Sequence, residues 1–514
     1  MNIRNKKDVL KLYTIEGIDY DKVIAKYREL CEQGIRDIDD DCVVMSGDNI
    51  EVTSHLTRKP RKPLNDYNRT LRKAIYLVHT IGYRQVTNRN KDVVGARLLK
   101  SLLKRVIGDD VYELLSALQI LGYIEIIDGY IVGKKSMLYK VNGNITTTEC
   151  SDFTIIGYVE KIKEILHNEV LQRMSTPEFK AIYGDEFTDT YIKNLNKFHI
   201  KDKEGFYSYI IEQIALSPIK EAYYKYIIEL FNSKFKIHSI DSNNRMYHIL
   251  TSLERELKQY LNIQFSIDCK NSHPVLFNYF IYISKGLSID ISYKLSSIFY
   301  NISKDTIYIS NNRYDVEKLR NELKNNKIDI SIIAGFSDDE LLYIWKSTIG
   351  IFWDDICEYH KDEGLDRGTI KELMFQEVFY SKTSRVTKKR FAKEFKSAYP
   401  NVYALIAKWK KTLKHPEIVD CLLARKKAVQ IKSIVKMEKP ETALSVVMMD
   451  VESEIFREVL NSLYRKRFPA VHIHDAIVLP ETKTAIDVKY IEGVMRKVYK
   501  RFGLHPTFSV DRYS

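Results

Sequence analysis

The sequence predicts an α+β protein with more than one domain. The chain has 514 residues, which is too long for a single ordinary core at roughly 100–200 residues per domain. Helical apolar spacing recurs through residues 69–121 and 150–260, whereas short β-branched runs stand at residues 122–132, 261–268 and 470–480. Helix-rich stretches and isolated short strands in one chain are typical of an α+β fold.

The charge balance favours a polyanionic partner. The chain carries 81 Lys and Arg against 68 Asp and Glu, a formal net charge of +13 and a pI near 9.0. Nucleic acid is the first candidate for such a partner. A lysine-rich, solvated surface with no ligand accounts for the same charge, so the charge alone leaves both interpretations open.

The cysteines and the first residues indicate an intracellular protein. The cysteines stand singly with no Cys-x-x-Cys pair, so neither a zinc ribbon nor a disulfide framework is expected. Met1 to Tyr13 lacks the apolar core of a signal peptide, and no apolar run reaches the roughly 18 residues of a membrane span. We therefore expect a soluble, cytoplasmic protein with no membrane partner.

Residues 1–68 are predicted to form an N-terminal helical region followed by a basic linker. The segment from Arg58 to Pro63 reads Arg-Lys-Pro-Arg-Lys-Pro, with two prolines among four cations. Prolines interrupt a helical pattern, and the cations could contact phosphate.

Residues 69–145 are predicted to form a winged-helix-like domain. Helical spacing covers residues 69–107, and a second helix follows from Val111 to Leu121. The β-branched run from Gly122 to Val132 has Asp128-Gly129 at its centre, which is a strong hairpin signal.

Lys134 and Lys135 lie just beyond this hairpin and are the predicted nucleic-acid contacts of the wing. A winged helix lays a helix in a DNA groove and its wing on the backbone. A small α+β module used for protein docking has the same sequence pattern, and this alternative stays open.

Residues 146–260 are predicted to be α-rich. They contain no Gly-x-x-x-x-Gly-Lys phosphate loop, so ATP hydrolysis of the P-loop type is not expected. Residues 1–240 show no paired-acid pattern that would indicate a proofreading exonuclease.

Two aspartates stand in apolar, β-branched surroundings. Leu261 to Asp268 is a predicted strand that ends on a carboxylate, and Ala470 to Pro480 is a predicted strand with Asp475 inside it. A carboxylate buried without a partner costs several kcal/mol, so Asp475 needs a cation, a hydrogen-bond network or a turn. Two aspartates on neighbouring strands could hold the two Mg²⁺ ions, about 3.5–4 Å apart, that phosphoryl transfer uses.

A third element lies between the two aspartates. Arg367, Lys371, Phe375 and Phe379 recur every four residues and would form one stripe on a helix. Cations at one end and aromatic rings at the other suit a nucleoside triphosphate laid along the helix. An amphipathic core helix with two solvated cations gives the same pattern.

The order strand-Asp, Arg-x3-Lys-x3-Phe-x3-Phe, strand His-Asp resembles motifs A, B and C of family A DNA polymerases and of the phage-type single-subunit RNA polymerases. Phe395 to Val402 is similar to the helix and Tyr-Pro stretch that follow the nucleotide-binding helix in that superfamily. The predicted helix from Val446 to Leu463 stands where those enzymes have the helix leading into motif C. The resemblance covers residues 240–514.

The resemblance implies a polymerase-like palm sheet at residues 261–345 and 440–514, helical fingers at 346–439 and an α-rich thumb at 146–260. Asp268 and Asp475 would hold divalent cations, Mg²⁺ or Mn²⁺, and Lys371 would assist the departure of pyrophosphate. The expected nucleotide contacts are Arg367, Lys371, Phe375, Phe379 and His273. The expected nucleic-acid contacts are Arg245, Tyr247 and His474.

Sugar choice in this superfamily depends on the space under C2′ and on a tyrosine hydroxyl on the nucleotide helix. His273 is bulky and Phe379 lacks a hydroxyl, and both features favour deoxynucleotides. The expected function is therefore a DNA-dependent DNA polymerase acting on a DNA template-primer with nucleoside triphosphates. A single-subunit RNA polymerase or primase, with RNA as a partner, is one alternative.

The second alternative is a catalytically inactive nucleic-acid-binding protein of replication or regulation. Asp268 is followed by Cys-Lys-Asn-Ser-His-Pro rather than by the Ser-Gln-x-Glu or Gly-x-Gln-His runs of the resembled enzymes. Bound Mg²⁺ or Mn²⁺ at the two aspartates would separate an enzyme from an inactive relative.

Overall fold

The computed structural model describes residues 10–34, 43–46, 49–52, 59–87, 96–98, 100–128, 130–131, 137–217, 220–232, 236–240, 245–302, 316–360, 364–380, 389–410, 443–482 and 486–513. The fold is mixed α+β, mostly helical with small sheets, as the sequence predicts. The chain divides into an N-terminal unit within residues 1–172 and 203–233 and a C-terminal unit within residues 173–202 and 234–514. No helix in the described ranges is long and apolar enough to cross a membrane.

Strands and helices alternate irregularly through residues 10–232. The strands are β1 (Leu10–Ile15), β2 (Val43–Ser46), β3 (Asn49–Val52), β4 (Ala96–Leu98), β5 (Ile124–Asp128), β6 (Tyr130–Ile131), β7 (Met137–Val141) and β8 (Ile145–Cys150). The helices are α1 (Tyr20–Gln33), α2 (Tyr67–Thr87), α3 (Lys100–Ile107), α4 (Val111–Ile120), α5 (Phe153–Met174), α6 (Pro177–Tyr183), α7 (Asp185–Leu195), α8 (Lys203–Leu216) and α9 (Glu221–Asn232).

Three predictions for the N-terminal unit are corrected by its strand pairing. The first described element is not a helix but β1, which pairs antiparallel with β8. The predicted helix over residues 69–107 is interrupted, because β4 pairs with β7 between α2 and α3. In place of the predicted hairpin around Asp128-Gly129, the described residues pair β5 with β7 and β6 with β3, and Gly129 itself lies outside them. Lys134 and Lys135 lie outside the described residues.

Helix α4 is buried on nearly every side within the N-terminal unit. Its apolar residues share one core with residues of α1 and α2. Glu113 on α4 is also buried and faces Arg61, which belongs to the predicted basic linker. The Arg61 guanidinium lies 2.7 Å from the Asp110 carboxylate and 2.8 Å from that of Glu113. Arg61 therefore binds acids of its own unit, not phosphate.

Asp110 is the shared acceptor of this buried cluster, since it also binds the Lys73 ammonium and the Tyr27 hydroxyl. We expect Asp110→Ala to lower the unfolding free energy by about 3–5 kcal/mol, because two cations lose their buried partner. Burial raises the pKa of Asp110, but the bonds from Lys73, Tyr27 and Arg61 lower it below the ordinary 3.8. This stabilisation is therefore complete above pH 3.8 and is lost as the pH falls through the folded-state pKa.

Urea denaturation of Asp110→Ala at neutral pH and at pH 3 measures both effects. Lys62→Ala is the control, because Lys62 is an exposed neighbour of Arg61 and its truncation should change stability by less than about 0.5 kcal/mol. Equal, small losses in the two variants would show that the cluster contributes nothing.

The C-terminal unit continues from residue 237. Its strands are β9 (Ile237–Ile240), β10 (Met246–His248), β11 (Ile263–Cys269), β12 (Val471–Ile473), β13 (Ala476–Pro480) and β14 (Phe508–Arg512). Its helices from this point are α10 (Ile249–Ser252), α11 (Ser272–Ser284), α12 (Ile289–Asn301), α13 (Val316–Asn325), α14 (Ile330–Ala334), α15 (Asp338–Ile349), α16 (Phe352–Tyr359), α17 (Arg367–Met374), α18 (Arg390–Ala398), α19 (Pro400–Lys410), α20 (Ala443–Tyr464) and α21 (Val488–Lys500). Glu256–Tyr260 forms a short 3₁₀ turn and Phe375–Phe379 a π turn.

The sheet that positions the candidate site has four antiparallel strands in the order β12-β13-β11-β14. Its central strand β11 is buried on both faces except at Gln264 and Asp268, which are partly exposed. The predicted strand that ends near Asp268 is confirmed. The predicted strand over residues 470–480 is wrong in one respect, because it is a hairpin of two strands with His474 and Asp475 as its turn.

Candidate functional site

The two aspartates singled out by the sequence lie side by side. Asp268 stands opposite Ala476 in the pairing of β11 with β13, and Asp475 is the residue just before Ala476. The backbone N–H of Cys269 donates to the Asp475 carbonyl at 3.1 Å, which fixes the turn against β11. Residues more than 200 positions apart are thus brought together by an antiparallel register.

The backbone on both sides of this pair is in the left-handed region. His474 has φ 53° in the hairpin turn, and Asn271 has φ 57° just before α11. Such conformations are costly for residues other than glycine and concentrate at functional sites. The Asn271 side chain is 5 % exposed, and neither of its polar atoms bonds to any described residue. Asn and His adopt this conformation more often than most other residues do, and the pairing of β13 with β11 fixes the turn that contains His474.

The surroundings of the carboxylate pair disfavour the ionised form of both aspartates. Burial and the neighbouring Asp475 raise the pKa of Asp268 to about 8. Burial and Glu452 raise the pKa of Asp475 above its ordinary value. Lys371 lowers the pKa of both aspartates, so its positive charge reaches both of them. A cation bound between the two carboxylates would remove this repulsion.

The donor set suits a divalent cation that is shared with a substrate. Within the described ranges no cluster of three or more Asp, Glu, His or Cys side chains could enclose a metal ion. Mg²⁺ usually binds through one or two carboxylates and completes its shell with water and substrate phosphates. Asp268 and Asp475 fit that pattern.

Helix α17 begins at a well-defined cap and carries Lys371 to the groove. The Asp366 carboxylate accepts from the backbone N–H groups of Gly368 at 2.8 Å and Thr369 at 3.0 Å. One turn later Lys371 is exposed, with its ammonium 5.9 Å from the ring centre of Phe375. The open groove beside them has a volume of about 520 Å³, within the range of small-molecule sites. Its lining residues are Gly368, Lys371, Glu372, Phe375, Gln376 and Tyr380.

The last turn of this segment is a π turn, which corrects the predicted stripe. The Tyr380 N–H donates to the Phe375 carbonyl at 2.8 Å, an i to i+5 bond. The extra residue turns Phe379 inward, where it is 0 % exposed and packs near Phe277 and Phe395. Phe379 therefore has no surface for a nucleotide. Tyr380 takes the groove position instead, with its ring stacked on Phe375 at 5.2 Å and 11°.

His273 lies between the groove and the interior. Its ring centre is 5.1 Å from that of Phe375, and its Nδ1 is hydrogen-bonded to the Tyr380 hydroxyl. Its Nε2 lies 3.4 Å from a carboxylate oxygen of Glu452. The structure thus brings His273, Phe375 and Lys371 to one place, and their contact with a nucleotide stays a prediction.

Arg245 is directed into the unit, not toward a free surface. Its side chain is 14 % exposed and binds the buried Glu452 carboxylate at 2.5 Å, the Ser453 hydroxyl at 3.1 Å and the Met449 carbonyl at 3.2 Å. The cavity beside this pair measures about 10 Å³, room for one water molecule at most. The predicted contact of Arg245 with duplex nucleic acid is therefore not available in this conformation.

Tyr247 and His474 are neighbours in the structure. Their ring centres are 6.3 Å apart in an edge-to-face arrangement. Burial lowers the pKa of His474 below its ordinary value, although Asp475 and Glu452 oppose this effect. His474 is therefore expected to be neutral beside the aspartate pair at neutral pH.

Arg367 lies at the start of α17, one turn before Lys371. Its side chain is 60 % exposed and forms an ion pair of 3.2 Å with Asp354, which is 62 % exposed. Exposed ion pairs of this kind contribute roughly 0–1 kcal/mol. The guanidinium is thus held only weakly and could exchange Asp354 for a phosphate.

Two residues of the site have no sequence signal strong enough to identify them. Tyr380 falls one position outside the four-residue stripe, and only the π turn brings it to the groove. Glu452 stands between Asp450 and Glu454 on α20, so nothing in the sequence distinguishes it as the buried acid of the three. Its partners Arg245, Ser272 and His273 are far away in sequence.

Neither family models nor curated proteins indicate a family for this chain. No protein-family model matches it. No curated protein matches it significantly. Its function is therefore inferred from the order of its motifs and from the geometry of the candidate site.

Proposed function

We propose that the C-terminal unit is a template-directed nucleotidyltransferase, a DNA polymerase similar to those of family A. One observation carries the proposal: Asp268 and Asp475 stand side by side at one end of an antiparallel sheet, with the charge of Lys371 close to both. Extension of a primer needs two carboxylates that hold metal ions and a cation for the triphosphate. The three residues supply these groups.

Asp268 and Asp475 would hold the divalent cations, Mg²⁺ or Mn²⁺. When bound, these cations activate a 3′-hydroxyl and stabilise the charge on pyrophosphate. Lys371 donates to the phosphates from the groove side, and Arg367 reaches them after releasing Asp354. The apolar wall of Phe375 and Tyr380 packs against the base or the ribose.

Sugar selection depends on His273 in this proposal. Phe379 is buried, so its missing hydroxyl has no influence on the choice of sugar. Tyr380 has a hydroxyl at the groove, but His273 Nδ1 already engages it. The bulk of His273 therefore remains the argument for dNTPs over rNTPs.

Other parts of the chain support the architecture of a polymerase. The sheet β12-β13-β11-β14 would serve as the palm, and α17 with the π turn as part of the fingers. In the N-terminal unit, α2-β4-α3-α4-β5-β6-β7 follow one another, and β7 lies between β4 and β5 in one sheet, an order that supports a winged-helix-like domain. Because α4 is buried on nearly every side, docking of a protein suits this domain better than insertion of α4 into a DNA groove.

Extension of a labelled primer-template tests the proposal. The protein is given dNTPs or rNTPs, each with Mg²⁺ or with Mn²⁺, and a primer-free template is run in parallel. We expect template-dependent extension with dNTPs that is abolished by a chelator. Primer-free synthesis from rNTPs would favour the RNA polymerase alternative. Binding of the duplex without extension under every condition would favour an inactive binding protein.

A further inference from the structure

Tyr380, His273, Glu452 and Arg245 form a continuous chain of polar contacts inside the C-terminal unit. The Tyr380 hydroxyl meets His273 Nδ1, and His273 Nε2 lies 3.4 Å from Oε1 of Glu452. Oε2 of Glu452 lies 2.5 Å from Nη2 of Arg245. The four residues belong to different segments: the end of the π turn, the first turn of α11, the middle of α20 and the residue before β10. This series of contacts therefore links the groove to the interior of the unit.

Glu452 determines which of these polar groups donate a hydrogen bond and which accept one. Although burial raises its pKa, His273, Arg245 and the Ser272 hydroxyl lower it to about 2, so the carboxylate is ionised at neutral pH. An ionised carboxylate has no proton to donate. Facing it, His273 Nε2 is stabilised as an N–H donor. In the neutral ring Nδ1 is then the acceptor, and the Tyr380 hydroxyl must donate to it.

The carboxylate itself cannot turn away. Arg245 occupies one oxygen and is anchored to α20 by Ser453 and the Met449 carbonyl. The Ser272 hydroxyl donates to the other oxygen at 2.9 Å. Glu452 is 4 % exposed, so water does not compete for it. Its orientation is fixed before any ligand arrives.

We infer that Glu452 is a positioning residue of the groove: it holds the His273 proton on Nε2, so that Nδ1 accepts the Tyr380 hydroxyl and the Tyr380 ring stays stacked on Phe375. The inference rests on the proposed function in so far as the positioned rings select the nucleotide. Glu452 touches no groove surface, since it is absent from the groove lining within the described residues. It acts through His273 and Tyr380.

The tautomer of His273 is directly measurable. In protein with ¹⁵N-labelled histidine, long-range ¹H–¹⁵N spectra at pH 7.5 distinguish an Nε2–H ring from an Nδ1–H ring and from a doubly protonated ring. The His273 signals are those lost in His273→Asn. We expect Nε2–H in the parental protein. Either of the other two forms would overturn the inference, because Nδ1 could then not accept from Tyr380.

Two variants test the consequence for the nucleotide. In Glu452→Gln the new amide can donate as well as accept, so this variant should permit the Nδ1–H form of His273. Tyr380→Phe removes the hydroxyl that bonds to His273 and keeps the Arg245–Glu452 pair. Each should raise KM for dNTP by about tenfold, the worth of one hydrogen bond, with a smaller change in kcat. The double variant should have a KM no higher than that of either single variant, because both substitutions interrupt the same series of contacts.

Glu458→Gln is the matched control, since Glu458 lies on the same helix and pairs with Arg501 near the surface at 2.6 Å. If Glu452→Gln does not fold, the parental spectrum and the KM of Tyr380→Phe still test the inference. An unchanged KM in Tyr380→Phe, or additive effects in the double variant, would count against the inference. If the protein is inactive but shows the expected tautomer, only the proposed function is contradicted, because the spectrum does not depend on catalysis.

Discussion

Asp268→Asn and Asp475→Asn should each abolish primer extension, by at least about 10³-fold, while making the metal-free protein more stable. An amide keeps the size of the side chain but removes the charge that would hold a cation. In the metal-free protein that charge is repelled by the partner aspartate, which together with burial raises the pKa of Asp268 to about 8. Catalysis and stability should therefore change in opposite directions.

The pH dependence has a definite sign. Because the folded-state pKa of Asp268 lies above its ordinary value of 3.8, the folded state binds the proton more tightly than the unfolded state. The pair destabilises the folded protein progressively as the pH rises from about 4 to about 8. Asp268→Asn should thus match the parental protein near pH 4 and exceed it by roughly 1–3 kcal/mol at pH 8.

Thermal melts in a chelator at both pH values, run beside extension assays, provide the measurement. The control is Asp338→Asn, an exposed carboxylate at the start of α15 that pairs with Arg320. A loss of stability in Asp268→Asn at pH 8 would mean that the carboxylates are satisfied structural groups and that the metal proposal is wrong.

Lys371→Ala should lower the catalytic rate by about 10²-fold with little effect on melting temperature. Lys371 is exposed at the groove, and its interaction with phosphate strengthens as charge builds on the departing pyrophosphate. Lys396→Ala on α18 is the matched control, because Lys396 is also an exposed lysine of this unit. Single-turnover extension with a saturating nucleotide separates the rate from binding.

Two phenylalanines on the same segment should behave differently. Phe375→Ala removes part of the groove wall and should raise the KM of the nucleotide. Phe379→Ala removes a fully buried ring and should cost about 3–5 kcal/mol of stability, with KM unchanged at a temperature where the variant stays folded. If both raise KM equally and Lys371→Ala extends primers at the parental rate, α17 is only a structural helix.

Strand β11 was predictable because its signal is local. Alternating apolar residues place β11 within two residues of its observed ends. The turn at His474-Asp475 was not predictable in the same way, since it lacks the glycine that marks most two-residue hairpin turns. It is imposed by the pairing of β13 with β11 and by the Cys269 N–H. Long-range pairing thus overrides local preference at this position.

Helix α17 and the π turn after it show a second limit of pattern analysis. A four-residue repeat correctly places Lys371 and Phe375 on one face, because an α-helix has 3.6 residues per turn. The π turn adds one residue to the last helical turn, and no residue between Phe375 and Tyr380 predicts it. The same limit applies to Glu452, whose role depends on partners from two other segments.

Strand β11 lies between β13 and β14, so Asp268 has Ala476 on one side and Ser509 on the other. During synthesis, Asp268 is made more than 200 residues before either neighbour. A nascent chain that ends anywhere before β13 therefore exposes both edges of a largely apolar strand. The second edge of β11 is paired only after residues 508–512 have been made. Early release of the growing chain would yield a protein that contains most of the groove but has an open sheet edge prone to aggregation.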